Sequence, residues 1–511
     1  MKFHILIFWC QMNYADSARI RAVLTNCWFS YTENSKEANI IIFDTCSIKQ
    51  KSEDKITGKL KTIRPDQKVR ITWCMIQHNL RNSKLKIQNL ELKIGNFMWV
   101  IKNRNPQVIW LTTEEINNWK LKIENWKFVG VNNVFNPVFH NLIQKRKNIE
   151  LMRRIDDTGF LPLILEKLWY KITYDQEMIN EYEKIIPENI NTSMNAHTTT
   201  AYIPISTWCN QFCAYCIVPY ARGLERNFPV DQIVSEAKTH IKNWAKEIVL
   251  LGQIVNKHPD FVTIIKEILK IKWLKRLRYT SPYPTFYSKE LLALHEKEEK
   301  LCPHIHMPLQ SGSDEILKKM FRGYSLKQAK EFIDTIRNLK RDISITTDII
   351  VGFPDETEED FQQTLDLVKY GNFDMVYIWI YSQRPWTLAA KNYPDTISRS
   401  IKRDRRNRLN DLLKDISRQN NEQEIGKTKE ILINNISTSK HWNISTIEGY
   451  TDNMKQVIIE YWNMETWKNG KWKKNHSIVP SFHRSVIQVG EFIHVKITRA
   501  IPFKVYGEIA P

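Results

Sequence analysis

STWCNQFCAYCIVPYARG, residues 206–223, places Cys209, Cys213 and Cys216 in the spacing C-x3-C-x2-C, directly after an apolar run, AYIPIS at 201–206, that reads as a strand. A structural zinc site wants a fourth nearby ligand or a second CxxC pair. The stretch offers neither. Three thiolates in one tight loop suit a [4Fe–4S] cube, whose irons prefer thiolate sulfur, and they leave the fourth iron open to a substrate or cofactor.

Downstream of this loop the chain alternates between strand-like and helix-like segments. Strands are expected at EIVLLG (247–252), RLRYTS (276–281), HIHMPL (304–309), ITTDIIVGF (345–353) and MVYIWIY (375–381). Helices such as VDQIVSEAKTHIKNW (230–244) and LKQAKEFIDTIRNL (326–339) lie between them. About six such units predict a partial parallel β/α barrel rather than the closed eightfold form. A charged helix over 398–423 follows. The last stretch turns to short alternating strands (KEILINNI, KQVIIEYW, EFIHVKITRA), which predict a small all-β barrel.

Upstream, FHILIF (3–8), NIIIF (39–43) and VRIT (69–72) read as buried strands, and a helix is expected over 15–26 with Asp16 or Ser17 as its cap. Cys10, Cys46 and Cys74 follow the three strands. Intervening helices make this a parallel α/β domain, in which ligands sit beyond the carboxyl ends of the strands, so the three cysteines are expected on one rim. Residues 105–195 read as an insertion or linker with some helix at 114–122 and 175–184. The expected domains are thus 1–104, 105–195, 196–423 and 424–511.

The bulk numbers narrow the class. With 511 residues, 42% hydrophobic and 26% charged, the chain is a soluble globular protein of several domains, not a disordered or fibrous one. No apolar run reaches the roughly 18 residues of a membrane span. The N-terminus has no small-residue cleavage site, so a cytoplasmic location without membrane contact is expected. Eight cysteines in such a chain point to thiolate or metal chemistry rather than to a disulfide framework. Cys27 and Cys302 are expected to be core packing. A net charge of +19 suggests a polyanionic partner; a lysine-rich genome gives the same number.

Beyond the cysteine loop, a series of blocks resembles the radical-SAM methylthiotransferase family, and within it the tRNA 2-methylthioadenosine synthases. WCQMNYADS, DTCSIKQKSEDK, CNQFCAYCIVPYARGLER, LLGQIVN, RYTSPYP, MPLQSGSD, RGYS, TTDIIVGFPDETEEDF and YSQRPWT occur in the family's order and cover nearly the whole chain except 105–195. The resemblance implies an N-terminal methylthiotransferase domain, a central radical-SAM barrel and a C-terminal RNA-binding TRAM domain. It implies two [4Fe–4S] clusters, one on Cys209, Cys213 and Cys216 that binds S-adenosylmethionine (SAM), the other on Cys10, Cys46 and Cys74 that carries the sulfur. One SAM supplies a methyl group, and a second yields the 5′-deoxyadenosyl radical that abstracts hydrogen from C2 of an isopentenylated adenosine beside the anticodon. That C–H bond is strong and non-acidic, which is why acid–base groups alone do not suffice.

From matched blocks, Gly252 and Gln253 are expected at the SAM amino group, and Gly352, Phe353 and Pro354 near its adenine. Arg222 and Arg226 are candidates for phosphate or the SAM carboxylate, with ordinary solvated arginines as the alternative. Gln310 and Ser311 lie at another strand end as tentative substrate contacts. The implied partners are the anticodon stem-loop of tRNA and an electron donor such as flavodoxin or ferredoxin; the sulfur donor is unknown and a monomer is expected. Competing readings are methylthiolation of threonylcarbamoyladenosine in tRNA, methylthiolation of a ribosomal-protein aspartate, and an RNA-binding homologue without clusters.

One feature departs from the family. Trp9, Trp73 and Trp208 directly precede Cys10, Cys74 and Cys209, Trp386 interrupts what should read RPGT, and Trp28 and Trp244 look similar. Glycine at such turns serves positive φ or close backbone approach. The chain has Gly 15, well short of the ~36 that average usage gives, and Trp 17 makes up most of the difference. The expectation is that these tryptophans are glycines in the cell, the source reading UGA as glycine; the alternative is a diverged or inactive homologue with true tryptophans.

Overall fold

The computed structural model describes residues 1–8, 11–26, 29–45, 55–73 (without 57 and 65), 90–94, 97–102, 105–110, 149–153, 199–207, 209–219, 225–384, 387–438, 444–462 and 487–510. The chain forms two units, Met1–Ile185 and Ile186–Pro511.

In the first unit, β1 (Lys2–Ile7), β2 (Ser30–Tyr31), β3 (Ile40–Thr45) and β4 (Lys68–Trp73) form a parallel sheet. Strands β5 (Leu90–Ile94), β6 (Phe97–Lys102) and β7 (Asn105–Trp110) form a separate antiparallel sheet. Strand β8 (Ile149–Arg153) then returns to the first sheet, whose order is β2-β1-β3-β4-β8. It lies inside the stretch read as insertion or linker; IELMR mixes charged and apolar residues too evenly to signal a strand by itself. The expected helices at 114–122 and 175–184 lie outside the described residues.

Ile40, Ile41, Ile42 and Phe43 are all buried, as a parallel strand covered on both faces requires. Helix α1 (Gln11–Asn26) packs Ile20, Val23 and Leu24 into this core. It begins earlier than expected, and Asp16 and Ser17 lie inside it rather than at its cap. Asn13 donates to the carbonyls of Phe8 and Asp44, and Ser17 Oγ donates to Asp44 Oδ2 at 2.5 Å. These polar groups bind the helix to the sheet edge instead of closing its first turn.

The second unit is built on β9 (Thr200–Pro204), a short antiparallel pair of β10 (Ser206–Thr207) and β11 (Arg226–Asn227), then β12 (Glu247–Leu251), β13 (Arg276–Tyr279), β14 (His304–His306), β15 (Ser344–Val351) and β16 (Met375–Ile380). β9-β12-β13 and β14-β15-β16 are parallel three-stranded sheets. Leu277 N to Lys300 O (2.7 Å) and Cys302 N to Leu277 O (3.0 Å) join them edge to edge. The result is the expected open six-stranded barrel. Helix α2 (Val230–Lys242) and α3 (Phe261–Leu269) pack Ile233, Ala237, Ile264 and Ile268 against Ile203, Ile248 and Leu250. α4 (Lys289–Lys297), α5 (Asp314–Lys319), α6 (Leu326–Arg337) and α7 (Glu358–Gly371) continue the outer layer. Ser325 with Gln328 and Thr357 with Asp360 form capping boxes that set the starts of α6 and α7.

After the short α8 (Leu388–Asn392), the long α9 (Arg399–Glu422) leads to a closed five-stranded barrel. Its strands are β17 (Thr428–Thr438), β18 (Ile444–Thr451), β19 (Gln456–Trp462), β20 (Phe492–Ile501) and β21 (Lys504–Ile509), around a core of Ile431, Ile447, Val457, Val495 and Val505. This small barrel docks on the amino-terminal ends of the large barrel's strands. Thr199 Oγ1 donates to Gly490 O (2.7 Å), Arg276 to Glu430 O (2.8 Å) and Tyr450 O (3.0 Å), and Arg278 to Thr451 O (2.8 Å). Arg278 is itself held by Glu247 at 2.9 Å. The opposite, carboxyl-terminal rim is therefore left for the cysteine loop.

Trp244 follows α2 with φ 74 and 83% of its surface exposed. Ala245 N closes on His240 O (3.0 Å) across it, the hydrogen bond of a helix end that turns through a left-handed residue. The indole adds no packing there and the backbone asks for glycine.

Candidate functional site

The cysteine loop leaves β9 and β10 at the carboxyl rim of the large barrel. Its backbone is tied down on three sides: Ala214 N to Met320 O (2.9 Å), Cys216 N to Cys213 O (2.9 Å) and Ala389 N to Ala214 O (2.8 Å). Cys209 and Cys213 are buried and Cys216 is half-buried; all three are free thiols. Phe212, between them, takes φ 50, a left-handed turn that folds the loop back on itself. Beyond the loop, Glu225 N donates to Asn210 Oδ1 (3.1 Å), and the Glu225 carboxylate takes an ion pair from Lys257 (2.6 Å).

Burial raises the pKa of the Cys209 thiol, and burial followed by the nearby Cys213 pushes Cys216 up to about 12. Cys213 acts on both of the other thiols, and the tight turn of Cys216 N on Cys213 O keeps the loop compact. Iron must displace their protons on binding, as thiolate coordination does. Among the described residues no three His, Cys, Asp or Glu side chains close on a single metal ion, whereas a cube spreads three thiolates over three irons. The donor set and its crowding fit a cube of this kind.

Arg322 stands beside the loop. Its Nη1 donates to Cys213 Sγ (3.4 Å) and its Nη2 to Pro308 O (2.8 Å). Tyr283 is fixed nearby through Asn256, which donates to Tyr283 O (2.9 Å) and accepts from Tyr283 N (2.8 Å). RGYS and LLGQIVN contain Arg322 and Asn256, yet nothing in the sequence marks either as a neighbour of the loop, because Arg322 lies 109 residues from Cys213 along the chain.

Gly252 directly follows β12 and Gln253 is half-buried beside it. A side chain at Gly252 would meet Ser206 Oγ at 2.7 Å, so β12 and the start of the cysteine loop touch through this glycine. Gly352 follows β15 with φ 72, and its N–H donates to Glu356 Oε2 at 2.7 Å. Glu356 in turn accepts from Arg405 Nη1 at 2.8 Å. Burial pushes the Glu356 carboxyl up to about 7, against the pull of Gly352 N–H and Arg405. The Phe353 ring is fully buried, edge-on to Tyr381 (5.1 Å) and Tyr393 (6.1 Å), so what this residue offers a ligand is backbone. Pro354 is buried as well.

Gln310 sits at φ 79, its N–H on Asp348 O (2.8 Å) and its carbonyl on Ile350 N (2.9 Å). Ser311 is buried, its hydroxyl accepting from Ser313 N (3.2 Å) and lying 3.5 Å from Thr364 Oγ1, which commits it to internal packing. Gly312 seats on α7: a Cβ there would meet Gln363 O at 2.5 Å. Arg226 is exposed on β11, opposite Thr207. Cys302 is buried in the core, as expected. Cys10, Cys27, Cys46, Cys74, Arg222, Trp9, Trp28, Trp208 and Trp386 lie outside the described residues. In the first unit, Ile7 pairs with Asp44, Asp44 with Thr72, and Thr45 with Trp73. The last residues of β3 and β4 are thus direct neighbours, and Cys46 and Cys74 are the next residues in the chain.

Residues 203–368 match the Radical SAM superfamily, and residues 2–95 match the uncharacterized protein family UPF0004. The chain is 32% identical over 454 residues to the tRNA-2-methylthio-N(6)-dimethylallyladenosine synthase of Thermoanaerobacter sp. (strain X514), covering 85% of this chain and 82% of that one. It belongs to the tRNA-2-methylthio-N(6)-dimethylallyladenosine synthase family. A second member, from Natranaerobius thermophilus, is 30% identical over 523 residues, which is 99% of this chain and 96% of the relative. Among solved structures, the radical SAM methyltransferase TsrM from Kitasatospora setae aligns with a TM-score of 0.44 at 10% identity, over 76% of this chain and 77% of that one. Membership of the synthase family makes the chain a radical SAM enzyme, as the sequence blocks imply. Among the described residues no helix is long and apolar enough to cross a membrane.

Proposed function

We propose that this enzyme methylthiolates C2 of N6-dimethylallyladenosine next to the anticodon of tRNA, using two [4Fe–4S] clusters and SAM. The match along nearly the whole chain to relatives named for that product carries the reading. Cys209, Cys213 and Cys216 hold the cluster that binds SAM; the burial of Cys209 and Cys213 and the place of all three in one tight loop support this. Cys10, Cys46 and Cys74 hold the second; the register of Thr45 beside Trp73 supports it, since neighbouring parallel strands run about 4.8 Å apart. When bound, the clusters and SAM supply the methyl group, the sulfur site and the one-electron chemistry that breaks a strong C–H bond.

The chain's own residues bind, orient and shield. Gly252 and Gln253 meet the amino group of SAM, and the backbone of Gly352, Phe353 and Pro354 lies along its adenine. The Gly352 loop is held for this by Glu356 and Arg405, so the amide there does not reorganise on binding. Arg222 and Arg226 take phosphate or the SAM carboxylate, and Gln310 borders the substrate, while Ser311 serves the packing of that turn. The C-terminal barrel acts as a TRAM domain: His494, Lys496 and Arg499 are exposed on β20, and Arg499 stacks on Tyr506 at 3.8 Å. Cation and ring together suit the unpaired bases of a stem-loop, and the net charge of +19 favours RNA. The enzyme works in the cytoplasm as a monomer, fed by flavodoxin or ferredoxin.

Mass spectrometry of tRNA nucleosides from cells with and without the gene tests the reading. Loss of the 2-methylthio nucleoside, with accumulation of unthiolated N6-dimethylallyladenosine, is expected on deletion. An unchanged nucleoside profile would remove tRNA as the substrate.

A further inference from the structure

Among the described residues Arg322 is a cation without a balancing acid. Its guanidinium donates to Cys213 Sγ (3.4 Å), Pro308 O (2.8 Å) and Tyr324 Oη (3.2 Å), and lies 4.4 Å from the Tyr283 ring centroid and 5.2 Å from that of Tyr324. The frame around it is stiff: Gly323 N donates to Tyr283 Oη (2.9 Å), and Tyr324 Oη donates to Leu309 O (2.7 Å). No carboxylate among the described residues pairs with it; what surrounds the charge is Tyr215, Tyr283, Tyr324 and Cys213. Three other enclosed cations of the same unit do face an acid: Arg278 with Glu247, Arg405 with Glu356 and Lys402 with Asp395. An enclosed cation that lacks an anion is costly, and here the position of the missing anion is the Cys213 sulfur.

We propose that Arg322 is a positioning residue whose fixed positive charge, delivered through the hydrogen bond to Cys213, raises the reduction potential of the cluster held by Cys209, Cys213 and Cys216. The inference rests on the assignment of those cysteines as cluster ligands. Reduction takes one electron from an external one-electron donor and moves no proton. A cube on three thiolates goes from one net negative charge to two. A neighbouring cation stabilises the second charge more than the first, and hydrogen bonds to ligand sulfur act in the same direction. At a partly enclosed site a unit charge this close is worth about one to two decades in the equilibrium constant.

The test uses the full chain with Cys10→Ala, Cys46→Ala and Cys74→Ala, so that a single cluster remains, reconstituted anaerobically and titrated without SAM by electron paramagnetic resonance. Arg322→Gln keeps a donor and loses the charge; Arg322→Lys keeps the charge. The reduction equilibrium constant should fall about tenfold or more in Arg322→Gln, which is ~59 mV more negative per tenfold for one electron, and should stay near the parent value in Arg322→Lys. A Gln variant with the parent potential, or a Lys variant shifted as far as the Gln variant, overturns the proposal. If Arg322→Gln holds no iron, retention of iron at the parent potential in Arg322→Lys still supports the charge. Loss of iron in both reduces Arg322 to packing and overturns it. Failure of the parent chain itself to bind iron strikes the cluster assignment instead.

Discussion

Replacing Gly352 with alanine should strain the proposed SAM site through two separable causes. The residue holds φ 72, and a left-handed L-residue costs about 1–2 kcal/mol. The added Cβ would overlap Lys402 Cγ outright and lie 2.9 Å from its Cδ. Lys402 has no easy way to yield. It is buried, its Nζ bonds both oxygens of Asp395 (2.6 and 2.7 Å), and it lies over the Tyr381 ring. Overpacking of that kind costs about 1–3 kcal/mol, so Gly352→Ala should lose ~2–5 kcal/mol in all. Gly426 isolates the first cause: its φ is 87, yet a Cβ there meets nothing within 4 Å. Gly426→Ala should therefore lose only about 1–2 kcal/mol. Urea unfolding of the chain reads both losses, and equilibrium dialysis of SAM against reconstituted enzyme reads the site. SAM affinity should weaken in Gly352→Ala alone. Equal destabilisation by the two variants, or unchanged SAM affinity in Gly352→Ala, would refute the reasoning.

Three further outcomes are expected. Trp244→Gly should stabilise the chain by about 1 kcal/mol in urea melts, since the indole is exposed at positive φ; a loss of stability would mean that the indole does unseen packing, and UGG codons at the named tryptophans would end the recoding idea. Glu356 titrates at about 7 in the folded chain against an ordinary 4.5, so the native state holds the extra proton between those values. The stability it contributes is present below about pH 4.5 and is lost as pH rises through 7, by up to ~3 kcal/mol. Unfolding free energies at pH 5 and pH 8 should converge in Glu356→Gln relative to the parent, and an unaltered pH slope would contradict this. Arg278→Met leaves Glu247 buried without its partner and should cost about 3–5 kcal/mol. The small barrel should then come loose, seen as faster proteolysis near residues 424–428, and parent-like cleavage would count against its docking through Arg278.

The parts legible in the sequence are those that local chemistry decides. Apolar runs such as EIVLL and IIIF, short, β-branched and set between helical segments, read as buried parallel strands, and the cysteine spacing of the central loop has few uses besides a cube. β8 was hidden because five mixed residues borrow their strand character from β4. The start of α1 was hidden because Asn13 and Ser17 answer to Asp44 across the sheet and not to their own helix end. Likewise, Gly352 looks like a ligand contact in the sequence, but only the fold reveals that Glu356, Arg405 and Lys402 hold it in place. Arg322 could not be read at all, since its tie to Cys213 exists only once α5 has brought the RGYS turn against the loop.

Counting iron and acid-labile sulfide after anaerobic reconstitution speaks most directly to the two-cluster account. The parent chain should bind about eight irons, and about four should remain in each of two variants, one with alanine at Cys209, Cys213 and Cys216 and the other with alanine at Cys10, Cys46 and Cys74. About four irons in the parent, all lost with the central trio, would contradict it.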